Sequence, residues 1–155
     1  EKEIQNADPV GDYVNDNIMV TTQLLCLEDG ARVRQVGSQL HGGYQNSLVF
    51  RYLDTFPRPD GIPVWPDLIP ERTPEEIDAS IRAGSVTFGT PEEVAGALEG
   101  YRAAGVDQVV FGLLSSTMSR ELAFEVIETF GREVLGDFDT DPVHRTTRLR
   151  EAQIA

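Results

Sequence analysis

Residues 86–114, VTFGTPEEVAGALEGYRAAGVDQVVFGLL, decide the fold class. A short apolar run, 86–89, ends at Thr90-Pro91-Glu92-Glu93, which has the marks of a helix start. Threonine accepts from free N–H groups, proline suits the first helical position, and a glutamate three residues after the threonine can reach back to its N–H. Val94, Leu98 and Tyr101 then recur at helical spacing, and Gly105 marks the stop. A second apolar run, 106–114, reads as a buried strand. Strand, helix and strand in this length make a right-handed crossover, which belongs in a parallel sheet. The expected class is therefore α/β.

The same helix signature stands upstream at Thr73-Pro74-Glu75-Glu76 and closes at Ala83-Gly84. Further back, residues 17–26, NIMVTTQLLC, are β-branched and aliphatic over a strand's length, between the turn formers Asn15-Asp16 and Glu28-Asp29-Gly30. Alternation divides them into Ile18, Val20, Thr22 and Leu24 on one face and Met19, Thr21, Gln23 and Leu25 on the other. Helical spacing follows from Glu28, with Ala31, Val33, Val36 and Leu40 on one side, until His41-Gly42-Gly43 interrupts it. Tyr44, Leu48, Tyr52 and Phe56 predict a second helix. Residues 56–73, FPRPDGIPVWPDLIPERT, hold five of the nine prolines and so form an irregular excursion, since proline gives no donor to a ladder. Downstream, Ser119 caps a final helix striped by Leu122, Val126, Phe130 and Val134.

Composition narrows the function. The chain has 155 residues with Lys+Arg 13 against Asp+Glu 26, a formal charge of -13, which repels phosphate backbones and makes a nucleic-acid footprint an unfavourable reading. No apolar run is long enough to span a bilayer, and the first residues, Glu-Lys-Glu, lack the basic-then-apolar order of a secretion signal. The single cysteine, Cys26, fits a reducing compartment and reads as a small buried hydrophobe. A cytoplasmic protein without membrane or nucleic-acid partners is expected. Phosphate-loop, dinucleotide-loop and nucleophile-elbow motifs are all missing. His41, in HGGY, reads as a helix-terminal residue, and His144 falls in a polar tail, 137–155. Asp137, Asp139 and Asp141 alternate like the start of a calcium loop, but Pro142 stands where glycine is needed and Arg148 where the bidentate glutamate is needed, so no metal site is assigned.

In parallel α/β architectures ligands sit beyond the C-terminal ends of strands, where helix N-termini offer free N–H groups. That places Met19, Thr21 and Gln23, then Gly89 and Thr90, then Ser115 and Ser116 as candidate cofactor-binding residues, while no catalytic residue is named. Trp65, in the proline-rich excursion, could cover a planar ligand or simply pack its own loop.

The run 89–94 (GTPEEV) with Leu98, then Ala104-Gly105-Val106-Asp107, the strand QVVFGLL and FGREVL at 130–135, resembles the C-terminal part of the bacterial-luciferase-like flavin-dependent monooxygenase family, and 9–29 (PVGDYVNDNIMVTTQLLCLED) is similar to that family's sixth barrel strand and the entry to the next helix. The resemblance covers nearly the whole chain and implies one domain, 1–155, containing the last three strands of a (β/α)8 TIM barrel, with 57–85 as an insertion before the penultimate strand. A complete barrel needs about 250 residues. The N-terminal half of the same barrel is therefore an expected partner, and the chain, which lacks an initial Met, is expected to be a fragment. The resemblance further implies FMN, or a deazaflavin, as cofactor, O2 and a small organic molecule as substrates, and a flavin reductase as electron source; separately from it, a homodimer is an expected association. Where some relatives present a histidine to the flavin edge this chain has Thr21, so a hydrogen-bonding role is what carries over.

Two other readings stand beside this one. Gly89-Thr90 and 112–116 suit half of a phosphate-gripping barrel, an isomerase or aldolase, and a non-catalytic α/β interaction domain needs no site at all. For a barrel fragment, the expectation is that Ile18, Val20 and Leu24 lie under helices while Met19, Thr21 and Leu25 are left uncovered, so the isolated chain aggregates, dimerises or is partly molten.

Overall fold

The computed structural model describes residues 4–11, 14, 17–40, 70–113, 118–141, 143 and 145–154. The expected helix at Tyr44 to Phe56, most of the proline-rich excursion with Trp65, His41, His144, Ser115 and Ser116 lie outside the described residues.

After a short 3-10 turn at Ile4–Asn6, the elements are β1 (Met19–Cys26), α1 (Gly30–Leu40), α2 (Pro74–Arg82), β2 (Thr87–Gly89), α3 (Pro91–Ala103), β3 (Gln108–Gly112), α4 (Arg120–Glu133), α5 (Leu135–Phe138) and α6 (Arg145–Ile154). The polar tail thus contains a helix. Local chemistry sets the boundaries where the sequence placed them. Thr73 and Thr90 each close a reciprocal capping box with Glu76 and Glu93, and Ser119 accepts from the Leu122 N–H at 3.2 Å. After α2 and α3 the chain turns through Gly84 (φ +66) and Gly105 (φ +83), left-handed conformations that a side chain would strain.

The three strands form a parallel sheet in the order β2-β1-β3. Three consecutive barrel strands would instead place β2 between the other two, so here the crossover from β2 to β3 passes β1 rather than joining neighbours. Pairing is also uneven along β1. Its first five residues, Met19 to Gln23, pair with all of β3, and its last three, Leu24 to Cys26, pair with β2 on the opposite edge.

Parallel partners point to the same face, so Val20, Thr22, Val109 and Phe111 share one face and Met19, Thr21, Gln23, Gln108, Val110 and Gly112 share the other. On the first, Phe111 meets Phe130 of α4 edge-on at 5.2 Å, and the Thr22, Thr87 and Tyr101 hydroxyls form a chain with 3.3 Å steps. Thr87, fully buried, is satisfied by that chain. The second face divides. At its C-terminal end Leu25 and Phe88 are buried under α1 and α2, where Phe88 and Ile77 approach the Gly37 backbone so closely that a Cβ would lie 3.1–3.2 Å from them. Leu25 was expected to be uncovered; α1 and α2 cover it. At the other end Met19 is 54% exposed and Thr21 and Val110 are also exposed. Ile18, expected beneath helices, is exposed as well, because it precedes the strand and is held through its backbone: its N–H donates to Asp107 Oδ2 at 2.9 Å and its carbonyl accepts from the Asp107 N–H.

Candidate functional site

The candidate residues fall into two places. Gly89 and Thr90 stand at the end of β2, opposite Cys26, whereas Thr21 lies five residues earlier along β1, about 16 Å away at strand rise. The structure does not bring them together.

The β2 end is already filled by the protein's own groups. Glu93 Oε2 accepts from the Thr90 N–H at 2.9 Å, and the Thr90 hydroxyl accepts from the Glu93 N–H at 3.4 Å. Arg34 of α1 then grips the same carboxylate with two N–H donors, at 2.9 and 2.6 Å, and donates to Asp78 of α2 at 3.1 and 2.8 Å. Asp78 also pairs with Arg82. These hydrogen bonds from Arg34, with that of the Thr90 N–H, hold the Glu93 carboxyl below its ordinary value, and Glu93 and Asp78 raise the already basic Arg34 further. Gly89 is there for space: a Cβ would come within 2.4 Å of Glu93 Cβ. An incoming phosphate would have to displace a carboxylate that two donor groups already hold. Sequence reasoning missed this network, although a glutamate at the third helical position beside a strand end was its visible half.

The open face is different in kind. Its described side chains, Met19, Thr21, Gln23, Gln108 and Val110 with Gly112, carry no ionisable group. Thr21 and Val110 pair at mid-strand, and Gln23 and Gly112 pair at the C-terminal end. Gln23 is half-buried at the border between the open part and the part sealed by Leu25 and Phe88. Beside it is a shallow hollow with room for about one water-sized sphere, walled by Leu24, Leu40, Phe88, Leu113 and Met118.

Cys26 is fully buried, and burial, reinforced by the charge of Glu133, pushes its thiol up to about 11, which keeps it protonated and poorly nucleophilic. Asp141 is engaged by Arg148 and by the Val143 N–H at 3.2 Å, and among the described residues no cluster of three metal-ligating side chains occurs. Nor is any helix among the described residues long and apolar enough to cross a membrane.

No protein-family profile and no curated protein matches the chain. A solved structure does. The crystal structure of the monooxygenase RslO1 from Streptomyces bottropensis is similar with a TM-score of 0.54 at 19% identity, over 81% of this chain and 32% of that one. The chain thus spans about a third of that protein's length. At this identity the likeness speaks for the fold: a parallel sheet flanked by helices, as found in one portion of a larger α/β protein.

Proposed function

We propose that this chain is the C-terminal part of a luciferase-like, flavin-dependent monooxygenase, in which β1 and β3 are neighbouring strands of a (β/α)8 barrel and β2 is an added strand at the mouth of β1. The register supports this arrangement, because β2 touches only the last three residues of β1 while β3 runs along the rest. The observation that carries the functional reading is the open, uncharged β1–β3 face, where Thr21 and Gln23 are polar among Met19 and Val110. In a closed barrel that face lines the interior, and unpartnered polar groups there would each cost about 1 to 3 kcal/mol unless a ligand satisfied them. The likeness to a monooxygenase fold is consistent with it.

The face fits a flavin's ring system in character, being neutral with apolar and hydrogen-bonding positions interleaved. FMN, or a deazaflavin in its place, supplies the redox chemistry, and reduced FMN activates O2. The chain's own part is to orient: Thr21 and Gln23 hydrogen-bond a ring edge or the substrate, and Met19 and Val110 exclude water. The remaining barrel strands, a reductase and a second subunit belong to the same proposal. The phosphate-barrel alternative is weakened by the capping box, in which the Glu93 carboxylate accepts from the Thr90 N–H and the Thr90 hydroxyl accepts from the Glu93 N–H, donors that a phosphate would need.

The test is reduced-flavin binding and O2 uptake by the full-length protein. Saturable FMN or deazaflavin binding is expected, and Thr21→Val should keep the fold while lowering affinity or coupling. A folded full-length protein that binds neither cofactor overturns the assignment.

A further inference from the structure

The open face has one position that differs from the rest, and it lies at the C-terminal strand ends where α/β proteins hold ligands. Gln23 is half-buried, and its side-chain amide has no hydrogen-bond partner among the described residues, while its backbone belongs to the β1–β3 ladder and its carbonyl also accepts from the Thr22 hydroxyl at 3.5 Å. Across the ladder stands Gly112, where an added Cβ would meet only the Thr22 carbonyl oxygen, at 3.8 Å. Packing therefore does not require glycine there, in contrast with Gly89, where a Cβ would collide with Glu93. The result is a gap floored by backbone, walled by Phe88, Leu40 and Met118, with a primary amide at its side. Such an amide offers one acceptor and two donors in a plane, and its natural complement is a ring edge carrying an N–H next to a carbonyl.

The geometry points to Gln23 as the residue that orients the ligand, through paired hydrogen bonds to the amide- or imide-like edge of a planar, uncharged heterocycle whose ring overlies Gly112. Resting on the flavin reading above, this selects one edge of the cofactor, the pyrimidine-type edge that flavin and deazaflavin share, and assigns Thr21 to a lesser contact.

Titrations of the full-length protein with FMN and with N3-methyl-FMN test it, the methyl group removing the ring N–H that the amide carbonyl would accept. Wild type is expected to prefer FMN about tenfold, the usual worth of one well-made hydrogen bond. Gln23→Leu should abolish that preference. Gly112→Ala, which has room for its methyl group, should leave the melting temperature unchanged and weaken both probes about tenfold by raising the floor. FMN binding with no preference in wild type, or with the preference intact in Gln23→Leu, overturns this inference and leaves the flavin reading standing. Absence of any flavin binding removes both.

Discussion

Strand β1 has two halves that live in different surroundings. From Leu24 to Cys26 it is sealed, with β2 on its edge, α1 and α2 over Leu25 and Phe88, and every one of these side chains buried. From Met19 to Gln23 it pairs as well or better, with β3, yet one face stays open. Hydrogen-bonded pairing and burial are thus separable: the ladder fixes the backbone along the full strand, while the hydrophobic contribution comes from one end. A sealed end gives rigidity, and an open end gives a surface that something else can cover.

The sharpest way to break this contrast is truncation on each side. Phe88→Ala or Leu25→Ala should destabilise by about 3 to 5 kcal/mol in urea unfolding, whereas Val110→Ala, on the open face, should stay within about 0.5 kcal/mol at protein concentrations low enough to keep the chain monomeric. Equal losses would show that the open face is covered in solution. Next in size is the ionic clasp over the sealed end. Arg34→Met leaves Glu93 and Asp78 without their shared donor, and a loss of about 1 to 3 kcal/mol is expected, since the pair is only partly withdrawn from water. Thr90→Ala should cost about 1 kcal/mol through the cap alone.

Two measurements sharpen the comparison rather than break it. Glu93 has a folded-state value below its ordinary one, so its contribution is present at neutral pH and is lost as pH falls from about 4.5 downward. Glu93→Gln should flatten that part of the acid limb. Cys26 is shifted the other way. Its contribution is present below about pH 9 and is lost as pH rises toward about 11, so Cys26→Ala should reduce alkaline destabilisation over that interval. Smallest in free energy, but plain in sedimentation, is the exposed apolar surface: the isolated chain should self-associate, and Met19→Ser combined with Val110→Thr should shift it toward monomer. An unchanged association state would move attention to Phe124 and Ile127, the exposed apolar flank of α4.

The capping threonines, Ser119, the terminal glycines and the three strands were all readable in the sequence because each depends on neighbours within a few residues. Strand order was not readable. Residues 86–114 announce a crossover but cannot say that an earlier strand will occupy the place between its two strands. Leu25 was misplaced for the same reason, since alternation assigns it a face and only the positions of α1 and α2 decide whether that face is wet. Alternation placed Met19, Thr21 and Gln23 of β1 on one face, as the register has them. The Arg34–Glu93–Asp78 clasp was not readable, because it joins three elements that only tertiary packing brings together.

The central place of β1 also has a consequence in time. Among the described strands it is the earliest to be synthesised, and its partners come about 60 to 90 residues later. Until then MVTTQLLC is an uncharged, proline-free, β-prone segment without either of these partners, a composition that pairs readily with another copy of itself. Such long-range pairing is slow to form. The nascent chain therefore passes through a stage in which its most aggregation-prone stretch waits for its partners, and holding that stretch apart is a task for whatever folds beside it on the ribosome.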